Sequence, residues 1–164
     1  MSKLIKNSKL VCLCGSAKPL TRCCLGVIEG DIKAQSAEQL MRSRYSGYAL
    51  GKAKYILKSW HFSTRPAQLE LNPSQKWCGL KVLTCRDTKD KTAYVEFIAS
   101  YRFSGEMGQI HERSRFVLEA GEWFYVDGEQ IDSVAQHKNI LPNRNELCHC
   151  GSGKKFKKCC IVKR

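Results

Sequence analysis

Eight of the ten cysteines in this 164-residue chain form two clusters, one near each end, and both clusters have the same spacing. In each, a C-x-C pair is followed, after eight intervening residues, by two adjacent cysteines. Aligned without gaps, CLCGSAKPLTRCC and CHCGSGKKFKKCC agree at seven of thirteen positions. The cysteines are Cys12, Cys14, Cys23 and Cys24 in the first cluster, and Cys148, Cys150, Cys159 and Cys160 in the second. Such a repeat indicates two copies of one small folded unit.

Three kinds of chemistry use clustered cysteines. A disulfide framework needs an oxidising compartment, but the amino end, MSKLIKNSKL, is basic and carries no apolar export signal. A bridge between adjacent cysteines would also strain the backbone. A redox pair is expected as C-x-x-C beside a βαβ unit, which the sequence does not predict. Four thiolates are typical of a closed zinc site, so we predict two Zn²⁺ per chain, held by all eight cysteines, in a cytoplasmic protein.

The residues between the cysteines fit a compact metal loop. Gly15 and Gly151 follow the C-x-C pairs and allow the backbone to fold back towards the metal. In the second copy, one helical turn over KKFKK would place Phe156 and the two following sulfurs on nearly the same face. We therefore expect Phe156, and Leu20 at the equivalent position of the first copy, to cover the metal.

The second cluster resembles a known zinc module. The pattern CxCGSGKxFxxCC, preceded by NRNELCHC, is similar to the SEC-C motif at the carboxyl end of the preprotein translocase motor SecA. With a motif at each end, and LMRSRYSGYALG and HERSRFVLEAGEWFYVDG between them, the chain resembles the YchJ family of bacterial proteins. The first copy departs from the usual pattern, since Leu13 and Ala17 stand where Pro and Gly are common.

The chain is predicted to have three parts. These are an N-terminal zinc knuckle (residues 1–26), a middle domain (residues 27–137) and a C-terminal zinc knuckle (residues 138–164). In the middle domain, Ser36 and Gln39 form a capping box for a helix that ends near Gly51. A second helix is expected over about residues 53–61. A period of two from Gly79 onward predicts strands, at residues 82–85, 92–103, 110–118 and 123–126.

Helices followed by a strand meander indicate an α+β fold, with helices packed on an antiparallel sheet. The YchJ resemblance implies more: a curved sheet wrapped on helices, as in the nuclear transport factor 2-like or cystatin-like cone. Cys78 and Cys85, the two cysteines outside the clusters, are expected to be buried strand thiols. No nucleophile beside a base, glycine-rich phosphate loop or pair of catalytic carboxylates stands out, so we predict no catalytic site.

A cone often holds a pocket between helix and sheet, and Glu112 is in phase with the apolar residues of its strand. A buried carboxylate needs a partner, for which Arg44, His61 and Arg65 are candidates. One hypothesis places a ligand or catalytic pocket around His61, Glu112 and Trp123. The other is that Glu112 belongs to a satisfied ion pair in the core.

The positive charge of the chain belongs to its ends. Residues 1–26 carry a net charge of +5, residues 138–164 carry +7 and the middle domain carries only +1. A basic knuckle has the electrostatic character of a module that docks on an acidic surface. RNA, the ribosome and an acidic protein all qualify, whereas the scarcity of aromatic residues argues against base-specific recognition and no reading of DNA sequence is expected. The lysines concerned are Lys154, Lys155, Lys157 and Lys158.

Two functions therefore remain open. The SEC-C resemblance implies docking on ribosomes or on the Sec export machinery, including the export chaperone SecB, which would make the protein an adaptor or chaperone-like factor. The alternative is a small-molecule-binding protein or enzyme that uses a pocket in the central cone, with structural knuckles. The lysines would then only solubilise a small module.

Overall fold

The chain folds as three helices followed by four strands in a computed structural model, which describes residues 10–131, 143–148 and 154–161. The helices are α1 (Cys24–Glu29), α2 (Ala37–Ala49) and α3 (Ala53–Lys58). The strands are β1 (Lys76–Asp87), β2 (Thr92–Phe103), β3 (Glu106–Glu119) and β4 (Glu122–Gln130). Short 3₁₀ turns occupy Leu20–Arg22 and Phe156–Lys158. The predicted α+β class is confirmed.

Helix α2 begins and ends as the sequence predicts. The Ser36 hydroxyl accepts a hydrogen bond from the Gln39 amide at 3.1 Å and so caps the helix. The Gln39 side chain accepts from the amide of Gln35 at 2.7 Å, one residue before the position expected for a capping box. Gly51, with a φ of 69°, follows the last turn.

Helix α3 is shorter than predicted because the chain leaves it to pair with the sheet. The amide of Tyr125 donates to the Ser59 carbonyl at 3.0 Å, and the amide of His61 donates to the Tyr125 carbonyl at 2.7 Å. These bonds use backbone groups that a continuing helix would need. The helix therefore ends at Lys58.

The four strands form an antiparallel meander in the order β1-β2-β3-β4. Strand β2 has the predicted bounds, and its alternate residues Ala93, Val95, Phe97 and Ala99 are buried. Strand β1 starts at Lys76, earlier than predicted. Register shifts in β1 and β4 interrupt the ladders, and irregularities of this kind bend a strand and increase its twist.

The two faces of the sheet are covered by different parts of the chain. The core on one face includes α2 and also the cysteines of the N-terminal knuckle. On the opposite face, Arg102 donates a hydrogen bond to the carbonyl of Cys160 at 3.3 Å. Cys78 packs there with Cys148, Phe156 and Cys160 in a second small core. The two cysteine clusters thus contact the middle domain through different faces.

Candidate metal centre

The N-terminal loop brings its four cysteines together through a short backbone ladder. The amide of Cys12 donates to the Lys18 carbonyl at 2.8 Å, and the amide of Leu20 donates to the Leu10 carbonyl at 2.7 Å. Between these bonds the chain reverses through Gly15 at φ 77° and Ala17 at φ 59°. Gly15 adopts this left-handed conformation freely, whereas an alanine there is strained.

The four sulfur atoms lie within 4.8 Å of one another. The Sγ atoms of Cys14 and Cys23 are 3.7 Å apart, and those of Cys23 and Cys24 are 3.9 Å apart. A tetrahedral zinc ion with Zn–S bonds of about 2.3 Å would separate its sulfurs by about 3.8 Å. The cluster therefore has the size of a closed four-thiolate site and can hold a metal ion.

The thiols share protons because they are crowded and largely buried. Hydrogen bonds from Cys12 and Cys24 lower the pKa of Cys14 well below its usual value. The pKa of Cys12, which donates to Cys14, is raised to about 11. Cys24 donates to the sulfurs of both Cys12 and Cys14, so its pKa is raised further. One thiolate is thus favoured without a metal, while a cation would be needed to hold all four thiolates together.

Side chains of the middle domain attach the N-terminal cluster to helix α2. The Sγ of Cys12 lies 3.8 Å from the Oγ of Ser46. Arg42 donates a hydrogen bond from Nη1 to the carbonyl oxygen of Cys14 at 2.8 Å. Within the loop, the Ser16 hydroxyl lies 3.2 Å from the sulfur of Cys23. Such contacts hold metal ligands in position.

The C-terminal knuckle repeats the main backbone hydrogen bonds of the N-terminal knuckle in its described residues. The amide of Cys148 donates to the Lys154 carbonyl, that of Phe156 to the Glu146 carbonyl and that of Cys159 to the Phe156 carbonyl. In each of these bonds the donor and the acceptor lie 136 residues after the donor and the acceptor of the equivalent N-terminal bond. The sulfurs of Cys148, Cys159 and Cys160 lie within 4.8 Å of one another. Cys150, the predicted fourth ligand, and Gly151 lie outside the described residues. Leu20 and Phe156 are both buried at the 3₁₀ turns, as expected.

The two remaining cysteines have different environments. Cys78 is fully buried against the C-terminal knuckle, so its predicted burial is confirmed. Cys85 is exposed, so that prediction is wrong. It lies near the end of β1, whose last four residues are all exposed. Nothing in the sequence pattern indicated that Cys78 lies beside the second cluster, since they are about seventy residues apart.

The lysines of the C-terminal knuckle point away from its small core. Lys154, Lys155 and Lys158 are exposed, and Lys157 is half-buried. Phe156, which lies between them in sequence, is only 1% exposed. The 3₁₀ turn therefore separates an apolar side, facing the sulfurs, from a basic side facing solvent.

A cavity of about 360 Å³ lies between α2 and the sheet, and Glu112 lines it. His61 does not, because its Nε2 lies 3.2 Å from Glu119 and its Nδ1 lies 2.6 Å from Ser63, near the edge of the sheet. Trp123 lines a separate cavity of about 180 Å³ beside α1. The predicted grouping of His61, Glu112 and Trp123 is therefore wrong for this cavity.

Other residues occupy the positions expected of His61 and Trp123. Arg44, Tyr48, Trp77 and Tyr125 line the cavity together with Glu112. Arg44 was a candidate partner of Glu112, but no ion pair joins them within 4.0 Å. The available signal was helical spacing, because Arg44 falls on the apolar stripe of α2. Arg65 lies outside the cavity, with Nη1 3.5 Å from the Leu57 carbonyl.

The fold and the cysteine clusters together define a class of protein: a nuclear transport factor 2-like domain carrying a SEC-C motif. Residues 36–128 match the family model described as the YchJ middle NTF2-like domain, and residues 144–161 match the SEC-C motif. UPF0225 proteins of Shewanella sp. strains ANA-3 and MR-4 are 43% and 42% identical to the chain, over 92% of its length and 95% of theirs. The chain belongs to this family, the YchJ or UPF0225 family.

Two solved structures share the fold. The solution structure of a SEC-C motif containing protein from Rhodopseudomonas palustris is 33% identical and superposes with a TM-score of 0.67, covering 74% of this chain and 98% of that one. The crystal structure of a SEC-C motif containing protein from Psychrobacter arcticus is 30% identical, with a TM-score of 0.60 over 96% and 98% of the chains. In the described residues, no helix is long and apolar enough to cross a membrane.

Proposed function

We propose that this protein is a zinc-binding docking factor, whose C-terminal knuckle presents a basic surface to an acidic macromolecule. The observation that carries this proposal is the two-sided 3₁₀ turn Phe156–Lys158. Its aromatic residue is buried beside the sulfurs, whereas Lys154, Lys155 and Lys158 are exposed. A metal at this site would hold the lysines in a defined arrangement.

Zinc is the metal that the sulfurs favour. All the proposed ligands are thiolates, which are soft donors, and the sulfur spacing of the N-terminal cluster fits a tetrahedral ion. Buried four-cysteine sites of this kind leave no open coordination position, which is typical of structural rather than catalytic zinc. We therefore propose that both knuckles hold zinc for folding.

The ribosome is the partner that the charge distribution favours. The C-terminal knuckle carries a net charge of +7, the N-terminal knuckle +5 and the middle domain only +1, so electrostatic attraction is concentrated at the two ends of the chain and is strongest at the second. Phosphate contacts by lysine need no aromatic platform, and the described part of this knuckle offers one aromatic side chain, Phe156, which is buried. We therefore expect the knuckle to bind an RNA-rich surface without recognising bases.

Co-sedimentation with ribosomes tests this proposal. The zinc-loaded protein should pellet with ribosomes at low salt and be released as salt rises. Replacing Lys154, Lys155, Lys157 and Lys158 by Gln should abolish binding. A matched variant with Gln at four lysines of the middle domain, Lys54, Lys58, Lys81 and Lys89, should still bind. Equal binding by both variants would contradict the proposal, and binding to an isolated acidic export chaperone but not to ribosomes would reassign the partner.

Small-molecule binding in the central cone is a second candidate function, and the 360 Å³ cavity is the observation that favours it. This volume lies within the range of small-ligand pockets. The walls combine aromatic rings with charged groups, Arg44 and Glu112, as ligand sites do. Titration of the isotope-labelled protein with single-ring compounds should then shift the signals of cavity residues only.

A further inference from the structure

The cavity contains a buried cation whose hydrogen-bonding capacity is only partly used. Arg44 is 6% exposed. Its Nη1 donates to the Ile56 carbonyl at 2.9 Å and to the Ser59 hydroxyl at 2.6 Å. Its Nε and Nη2 make no hydrogen bond within the described part of the chain. A guanidinium has five N–H donors, so several donors of Arg44 remain for a ligand.

Aromatic rings hold the Arg44 guanidinium in place. Its central carbon lies 4.2 Å from the ring centre of Tyr125 and 5.2 Å from that of Trp60. These cation–π contacts stabilise the charge, but they satisfy none of its N–H donors. Among residues 10–131 and the described C-terminal segments, no carboxylate lies within 4.0 Å of it.

Glu112 provides an acceptor in the same cavity. Its Oε1 accepts a hydrogen bond from the Ser114 hydroxyl at 2.5 Å. Strand β4 makes room for this carboxylate, because a Cβ atom at Gly128 would clash with Oε1. The position of the carboxylate therefore depends on glycine at residue 128.

Two phenol groups complete the polar lining. The hydroxyls of Tyr48 and Tyr125 make no hydrogen bond among the described residues, and both rings line the cavity. Burial raises the pKa of Tyr48 and of Tyr125, so both remain protonated at neutral pH and can donate. The cavity thus presents donors from Arg44 and the phenols, and an acceptor from Glu112.

We propose that the cavity binds a small planar molecule with a neutral amide group, its carbonyl oxygen facing Arg44 and its N–H facing Glu112. This assignment rests on the second candidate function, binding in the cone. The aromatic walls, which include Trp77 and Tyr125, suit a planar ring. A volume of about 360 Å³ is ample for one or two rings.

The charge balance favours a neutral ligand over an ion. Arg44 and Glu112 carry opposite charges in the same cavity, so an added anion would face the carboxylate and an added cation would face the guanidinium. Either ion would also lose much of its own hydration on entering the cavity. An amide offers a donor and an acceptor in one plane without a net charge, and so it can serve both groups.

The test uses the full-length, zinc-loaded, isotope-labelled protein and three compounds that share one ring: benzamide, benzoate and benzylamine. Benzamide should shift the backbone amide signals of cavity residues. Its dissociation constant should be about 1 mM, at least about tenfold below those of benzoate and benzylamine. Glu112→Gln and Tyr48→Phe should each weaken benzamide by about threefold to tenfold. The matched control Tyr94→Phe, at an exposed tyrosine of β2, should leave binding unchanged.

Four outcomes overturn the assignment. If benzoate binds best, the cavity is an anion site, and if benzylamine binds best, Glu112 alone decides recognition. If all three bind equally, only the ring is recognised. In these cases the cone still binds small molecules, so the second candidate function survives. If none shifts the cavity signals, that function fails as well.

Discussion

Arg42 of α2 donates a hydrogen bond to the carbonyl oxygen of Cys14 at 2.8 Å, so a helix of the middle domain holds the backbone of the N-terminal metal loop. The same guanidinium is paired with Glu38 at 2.8 Å, which orients it along the helix. Because Cys14 is fully buried, its carbonyl has little access to water as an alternative partner. The first cluster is therefore part of the central core.

Removing this contact should destabilise the whole domain. We expect Arg42→Ala to lower the free energy of unfolding by about 1–2 kcal/mol, since it leaves a buried carbonyl without its donor. Urea unfolding of the zinc-loaded protein measures the change. Arg22→Ala, at an exposed arginine of the same knuckle, should change stability by less than about 0.5 kcal/mol. Equal losses in the two variants would show that the hydrogen bond is unimportant.

The strained alanine of the first loop offers a stabilising substitution. Ala17 has a φ of 59°, a conformation that glycine adopts at little cost. The equivalent residue of the second copy is Gly153. Ala17→Gly should therefore raise the free energy of unfolding by about 0.5–1 kcal/mol. Thermal unfolding measures this change. The control Ala67→Gly, at an exposed alanine without positive φ, should be neutral or slightly destabilising. If Ala17→Gly destabilised the protein, the backbone at Ala17 would not be strained.

The two metal sites should contribute differently to stability. Cys14→Ser disrupts a cluster that shares the central core, so we expect it to lower the free energy of unfolding by more than about 3 kcal/mol. Cys160→Ser affects the smaller core on the opposite face and should leave most of the middle domain folded. Elemental analysis should give about two zinc ions per chain for the native protein and about one for either variant.

Cys85→Ser, at the exposed cysteine outside both clusters, is the control for these measurements. Its zinc content and unfolding curve should match those of the native protein. A native protein that folds fully with one zinc ion or none would refute the two-site prediction.

Gly128→Ala tests the position of the carboxylate in the cavity. The added Cβ would clash with Glu112 Oε1, so the side chain of Glu112 would have to rotate away. We expect benzamide binding to weaken about as much as in Glu112→Gln, with a stability loss of about 1 kcal/mol or less because a flexible side chain absorbs the change. NMR titration and urea unfolding measure the two effects. Unchanged binding would mean that the carboxylate position does not matter.

Acid should remove the contribution of a cross-strand ion pair. Arg115 Nε donates to Asp127 Oδ1 at 3.0 Å, and this hydrogen bonding lowers the pKa of Asp127 below its ordinary 3.8. A carboxyl group whose pKa is lower in the folded than in the unfolded state stabilises the fold at any pH above its unfolded-state pKa. This stabilisation is lost as the pH falls through the folded-state pKa. Asp127→Asn should therefore cost about 0.5 kcal/mol at neutral pH, the usual worth of a surface pair.

The cost of Asp127→Asn should shrink as pH falls below 3.8 and the carboxyl becomes protonated. Urea unfolding of both proteins at several pH values from neutral to below 3.8 measures this cost. The same substitution made in a protein that lacks the partner, Arg115→Ala, should show no such dependence. A cost that is the same at both ends of the range would show that the pair contributes nothing.

Local structure was largely predictable from the sequence. The cap of α2 at Ser36 and the bounds of β2 follow from a polar side chain beside free backbone amides and from alternation of period two. The repeated spacing of cysteines likewise predicted two equal loops, and the described residues repeat their hydrogen bonds at a constant separation. These features depend on neighbours within a few residues.

Contacts between distant segments were not predictable in this way. Periodicity assigned Glu112 to the apolar face of its strand, but it could not identify Arg44, Tyr48 and Tyr125 as the residues around it. The prediction for His61 was wrong because the segment after α3 forms hydrogen bonds with β4, which places the His61 side chain beside Glu119 and outside the cavity.

The sequence by itself determined the two cysteine loops, the α+β order and the basic ends, because each depends on residue type and short-range spacing. Only the tertiary structure decided where those loops lie. It joins the first to α2 through Arg42 and Ser46, and sets the second on the other face of the sheet beside Cys78 and Arg102. A pattern along one element specifies which side chains share a face, whereas the partner of that face is chosen by packing of the whole chain.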